Sequence, residues 1–173
     1  MATKYQNLSE YNSETMPQKE VVAKQSYAIV VADWNPEITM AMLDGAYNTL
    51  IKNGAIEKNI HVLHVPGTLE LTFATSQLVT KKKIVSGKKV NKYDAIIVIG
   101  CVIQGETPHF TYVCEGVTQG ITALNLRTDG SPIIFGVLTT NTLQQAKDRA
   151  GGINGNKGNE AAIGAIKMAN IVW

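Results

Sequence analysis

The sequence is short of charge, of aromatic rings and of cysteine. Charged residues fill 17% of its 173 positions, below the ~25% of an average soluble domain, and aromatic residues fill 6%. Sparse charge leaves neutral surface that can be buried against further copies of the chain. The formal net charge of +2 is too small to argue for nucleic acid as a partner. Cys101 and Cys114 fall on a strand end and inside the following helix, so two free thiols in a reducing compartment are a simpler reading than a disulfide. No apolar run approaches the ~18 residues of a membrane span, and the polar opening MATKYQNLSEYNSETMPQKE has no apolar stretch of signal-peptide length. A cytoplasmic protein independent of membranes is expected. Neither G-x-x-x-x-G-K-[ST] nor G-x-G-x-x-G after the first strand occurs, which removes support for nucleoside triphosphates and dinucleotides. No His, Cys and carboxylate spacing suggests a metal, so neither metal nor cofactor is expected.

What is present is alternation. From Ser26, the β-branched run Tyr27 to Trp34 gives way at Pro36 to apolar positions at helical spacing, stopped by Asn53-Gly54. The unit repeats as Ile60 to Val65 with Thr68 to Thr80, Tyr93 to Ile103 with Pro108 to about Leu124, and Ile133 to Leu138 with Thr142 to Ala150. A last helix, Asn156 to Ala169, follows a glycine-rich link. Strands such as AIIVIG and PIIFGVL are apolar throughout and need cover on both faces. The expected fold is therefore α/β, a parallel sheet sandwiched between helices in one domain over residues 26–173. Residues 1–25 are polar, aperiodic and contain Pro17, as a flexible arm would. Lys81 to Lys92, KKKIVSGKKVNK, holds six of the sixteen basic side chains and reads as a solvated loop between a helix and a strand.

In such a sheet, ligands bind outside the carboxyl ends of the strands. The first loop there, Trp34-Asn35-Pro36, offers an aromatic plane beside an amide, suited to a flat heterocycle; a tryptophan that plugs the core is an equal alternative. In VPGTLE, Pro66-Gly67 turns the chain so that Thr68, Leu69 and Glu70 open the next helix, where a carboxylate also serves simply as a helix-dipole partner. The third loop, GETPH, is the most informative. Thr107 as N-cap and Pro108 as first helical residue would leave backbone N–H groups facing an anion such as phosphate. His109 follows in the first turn, where the helix dipole opposes a positive ring and a neutral imidazole can relay a proton. His61 and His64 fall on opposite faces of the second strand and read as structural. Arg149, one of two arginines, and Lys157 bracket the glycine-rich link; they could clamp a phosphate, Arg149 could instead bridge to Glu160, and the two roles are compatible.

Taken together, VPGTLE, GETPH followed by FTYV, FGVLTTNTLQQAKDRAG and NKGNEAA closely resemble the lumazine synthase family, in order, from about Tyr27 to Met168. The resemblance implies a flavodoxin-like domain that condenses 5-amino-6-ribitylamino-uracil with 3,4-dihydroxy-2-butanone 4-phosphate, without a cofactor, in riboflavin biosynthesis. It puts Trp34 at the stacking position with Asn35 beside it. It gives Thr68, Leu69 and Glu70 to the ribityl chain, and Cys101, Val102 and Ile103 to the pyrimidine. Backbone amides at Glu106 and Thr107 would hold phosphate together with Arg149. His109 would transfer protons, Phe135 would reach across a subunit interface, and Lys157 would add a substrate contact. Trp34 and Leu69 stand where phenylalanine is usual in the family, and Gln104 where a basic residue is common. The resemblance further implies a homo-oligomer, a pentamer or a shell of twelve pentamers, and association with riboflavin synthase. A flavin- or lumazine-binding carrier with weak turnover is the alternative that Gln104 raises.

Overall fold

A computed structural model describes residues 9–127 and 129–172. Four parallel strands form the main sheet: β1 (Tyr27–Ala32), β2 (Ile60–Val65), β5 (Ala95–Ile103) and β6 (Ile133–Thr140), in the order β2-β1-β5-β6. Every residue of β1 is buried, and the period-two geometry of a strand explains how. Tyr27, Ile29 and Val31 enter one core with Ile97, Ile99 and Cys101, while Ala28, Val30 and Ala32 enter a second core with Ile96 and Val98.

Each core is closed by its own helices. Helix α2 (Pro36–Lys52) supplies Met42, Ala46 and Leu50 to the first core, and α6 (Lys157–Ala169) supplies Ala162, Ala165 and Ile166. Helix α3 (Leu71–Val79) supplies Leu71, Leu78 and Val79 to the second, and α4 (His109–Asn125) supplies Val117 and Ile121. The three-layer α/β sandwich expected from the apolar strands is what forms. Helices α2 and α6 approach closely because Gly158 has no side chain: a Cβ there would overlap the Met42 carbonyl oxygen and stand 2.7 Å from the Met42 carbonyl carbon.

Three details differ from the sequence reading. Lys81 to Lys92 is not a loop but an antiparallel hairpin, β3 (Lys82–Val85) and β4 (Lys88–Asn91). Ser86 and Gly87 both take positive φ, 49° and 78°, the geometry of a two-residue turn that matches strand twist. Its lysines hide the hairpin signal, since neither strand carries a clean apolar face. Secondly, Thr107 does not cap α4; Pro108 occupies the cap position in helical conformation, with no side-chain cap bond. Thirdly, residues 1–8 of the expected arm lie outside the described residues, and residues 9–25 lie along the body. A short helix α1 (Lys19–Val22) buries Val22 in the first core, and Asn53 Nδ2 donates to the Tyr11 hydroxyl at 3.1 Å.

The chain ends its strand–helix alternation with α5 (Leu143–Arg149), capped by the Thr142 hydroxyl, which accepts from Gln145 N. The glycine-rich link then folds into two short antiparallel strands, β7 (Ala150–Gly152) and β8 (Gly155–Asn156). Asn156 caps α6 through its side-chain oxygen, which accepts from the Gly158 and Asn159 amides. Among the described residues no helix is long and apolar enough to cross a membrane.

Candidate active site

The order β2-β1-β5-β6 reverses direction at β1, because the chain moves outward to β2 and then returns to β5 on the other side. Loops leaving β1 and β5 therefore part to opposite faces, and a crevice opens between their carboxyl ends. Two adjoining clefts lie there. One, of about 220 Å³, is lined by Trp34, Asn35, Cys101, Val102, Ile103, Gly105, Thr107, His109, Phe110 and Val113. The other, of about 320 Å³, is lined by Trp34, Gly67, Thr68, Leu69, Glu70, His109 and Val113. Trp34 and His109 border both, so an aromatic plane and an imidazole stand where the two spaces meet.

The local backbone explains the placement. Asn35 adopts the left-handed conformation, φ 61° and ψ 55°, which asparagine tolerates better than most residues. Its Nδ2 donates to the Cys101 carbonyl oxygen at 2.9 Å, and Pro36 then starts α2 without a side-chain cap. The amide that the sequence offered to a ligand thus ties the β1 turn to the end of β5. Trp34 projects from this turn with 71% of its surface exposed. Gly100 admits Thr68: a Cβ at Gly100 would come within 2.9 Å of the Thr68 side chain and 3.0 Å of Leu71. Glu70 folds back over Gly67, where a Cβ would meet its carboxylate at 2.8 Å. Burial pushes the Cys101 thiol up to about 11, so at neutral pH it lines the crevice as a small neutral group and not as a thiolate nucleophile.

Pro108 makes no side-chain cap bond to α4; the Thr111 N–H is taken by the Pro108 carbonyl oxygen at 3.0 Å, and the N–H groups of His109 and Phe110 ahead of it have no partner within the helix, as an anion site requires. A proline in the cap position in place of Thr107 does not change this, because proline brings no N–H and Thr107 still lines the first cleft. Glu106 is exposed beside it but lines neither cleft. Sequence reasoning missed Phe110 and Val113. Val113 lies four residues after His109, one helical turn along the same face, and that spacing was the signal available.

Arg149 lines neither cleft. Its side chain is 12% exposed, Nη2 sits 2.6 Å from Glu160 Oε1, and Nη1 donates to the Asn154 carbonyl oxygen at 2.7 Å. Lys157 Nζ reaches the other carboxylate oxygen of Glu160 at 3.2 Å. Of the alternatives left open by the sequence, the Arg149–Glu160 bridge is present, and Lys157 shares it. Phe135 stands on β6, at one edge of the sheet, opposite Val98 and packed against the second core. Phe135, Arg149 and Lys157 line neither cleft of their own chain.

Comparison with known proteins gives this arrangement a family. The model of the 6,7-dimethyl-8-ribityllumazine synthase family matches residues 24–172. The chain belongs to that family. Among curated 6,7-dimethyl-8-ribityllumazine synthases, that of Parabacteroides distasonis is 54% identical over 170 residues, covering 98% of both chains. That of Porphyromonas gingivalis is 50% identical over 172 residues, 99% of this chain and 98% of its own. The Bacteroides fragilis protein is 56% identical over 147 residues, 85% of this chain and 96% of its own. Membership of the lumazine synthase family accords with the three-layer fold.

Proposed function

We propose that this chain makes 6,7-dimethyl-8-ribityllumazine, joining 5-amino-6-(D-ribitylamino)uracil to 3,4-dihydroxy-2-butanone 4-phosphate in riboflavin biosynthesis. The observation that carries the site assignment is the position of Trp34 and His109 on the border of both clefts. Trp34 stacks on the pyrimidine, whose edge runs along Cys101, Val102 and Ile103. The ribityl chain follows Thr68, Leu69 and Glu70. The phosphate lies against the backbone at Glu106 and Thr107, at the positive end of α4.

The reaction needs positioning and proton movement more than strong nucleophiles. The uracil amine attacks the ketone carbon and water leaves, giving an imine. Loss of a carbon-bound proton then expels phosphate and leaves an enol. After a proton returns to carbon, the ribitylamino nitrogen attacks the new carbonyl, and loss of a second water closes the ring. His109, between the two clefts, accepts and returns these protons. Arg149 neutralises the leaving phosphate. Arg149, Lys157 and Phe135 act in the site of a neighbouring copy, a reading supported by their lining neither cleft of their own chain and by Phe135 lying on an edge strand.

The same reading makes residues 26–173 one catalytic unit with residues 1–25 as an arm whose described part packs on that unit, in a cytoplasmic pentamer that closes into a sixty-subunit shell and can associate with riboflavin synthase. Exposed Phe73 and Tyr112, each 71% accessible, support burial against further copies. Light scattering distinguishes pentamer from shell by particle mass. For activity, the purified chain is mixed with both substrates and lumazine absorbance is followed. A rate no higher than the uncatalysed reaction sinks the reading, and tight flavin binding without product would favour a carrier. His109→Ala is expected to lose about 10²-fold in kcat.

A further inference from the structure

Trp34 is mostly exposed, so packing within the chain does little to fix its ring, and its position depends on the turn that carries it. That turn is held by Asp33 N donating to Val65 O at 2.8 Å and Trp34 N donating to Pro66 O at 3.1 Å. A side-chain contact adds to these. His64 Nδ1 lies 2.7 Å from Asp33 Oδ1. The register makes the contact possible: Val31 pairs with His64, and Asp33, two residues beyond Val31, projects to the same face. Neither side chain lines a cleft. Each is joined to something that does, since Asp33 precedes Trp34 and His64 leads into the loop that carries Gly67, Thr68, Leu69 and Glu70.

We propose that Asp33 and His64 form a positioning pair that braces Trp34 against the loop after β2, and so sets affinity for the flat heterocyclic substrate. The inference rests on Trp34 being the stacking ring. The pair's side chains are 57% and 49% exposed, and a pair this exposed adds little to global stability. Its removal is read in substrate affinity, not in unfolding. Rotating an unbraced ring back into place weakens binding of the substrate that stacks on it and leaves the phosphate-bearing partner untouched.

Steady-state kinetics of the full chain, with each substrate varied in turn, test this. His64→Ala and Asp33→Ala are each expected to raise KM for the uracil amine about three- to fivefold, the most that an exposed pair supports, with kcat and the KM of the phosphate substrate within about twofold. The double variant should be no worse than either single one, because both remove the same contact. His64→Asn, whose amide nitrogen can take the place of Nδ1, should restore the parent KM. Unchanged KM in the single variants, additive effects, or equal rises for both substrates would overturn the brace. Trp34→Ala separates the two levels. If it leaves the amine KM unchanged, the stacking assignment fails and the brace with it. If it raises that KM while His64→Ala does not, only the brace fails.

Discussion

Replacing Gly158 by alanine should disturb fold and site together, and the size of the effect can be worked out. A Cβ at this position would overlap the Met42 carbonyl oxygen and stand 2.7 Å from its carbon, whereas carbon atoms make ordinary contact at about 3.5–4.0 Å. The obstacle is backbone of α2, which cannot rotate aside, so α2 and the first turn of α6 must part by about 1 Å. Overpacking of this kind costs about 1–3 kcal/mol, and an unyielding obstacle puts the cost at the upper end. Alanine returns at most about 1 kcal/mol through its better helix propensity. The net loss of about 2 kcal/mol should lower the melting temperature by roughly 4–8 °C for a chain of this size, at fixed protomer concentration.

That turn also carries Lys157 and Glu160, and Glu160 holds Arg149 at 2.6 Å. A displacement of about 1 Å in supporting residues can cost up to 10²-fold in rate, so kcat/KM for the phosphate substrate should fall by roughly ten- to a hundredfold. Gly164→Ala is the control on the same helix, because its Cβ would meet only the Ile134 methyl, at 3.3 Å. Calorimetry on both variants decides. If Gly158→Ala melts with the parent protein, or no lower than Gly164→Ala, the account of helix approach is wrong.

Asn35→Ala removes the bond to the Cys101 carbonyl and forces alanine into a left-handed conformation, for a combined loss of about 2 kcal/mol in urea unfolding. Asn35→Gly should recover roughly 1 kcal/mol of it, and equal midpoints for the two variants would contradict the backbone part. Stability should also fall in alkali through Cys101. Its folded value of about 11 lies above its ordinary 9.0, so the neutral thiol's contribution is complete below pH 9 and lost as pH rises towards 11, to the extent of about 2–3 kcal/mol. Cys101→Ala should flatten the stability profile in that window, leaving the further decline to which Tyr27 contributes, its hydroxyl being raised by burial and by Asp94. An unaltered slope would show that the thiol does not titrate with unfolding.

The sheet was legible because β1 and β5 are buried on both faces, so their apolar runs have no period to misread. His109 was legible because a strand must end where a helix begins, and a proline marks the junction. The hairpin was not, because lysines occupy both of its faces and only Ser86-Gly87 announces the turn. Asp33 and His64 were equally hidden: they are 31 positions apart and meet only once Val31 is set in register with His64. The role of Asn35 was half visible. Its side chain suits a ligand edge, but only the arrangement of β1 beside β5 shows the Cys101 carbonyl that engages its nitrogen.

That His109 borders both clefts while Arg149 lines neither can be turned into a decisive experiment. If each site takes His109 from one copy and Arg149 from its neighbour, a His109→Ala chain still carries a working Arg149, and an Arg149→Ala chain a working His109. Refolded separately, each variant should be nearly inactive. Refolded together at equal amounts, copies meet at random in a head-to-tail ring. Half of the sites receive an intact His109, half receive an intact Arg149, and the two draws are independent, so about a quarter of the parent activity should return. A site built within one chain would never receive both residues, and the mixture would stay at the level of its parts. Activity linear in the product of the two mole fractions, with its maximum at equal mixing, identifies the shared site, and a flat response across the mixing series refutes it.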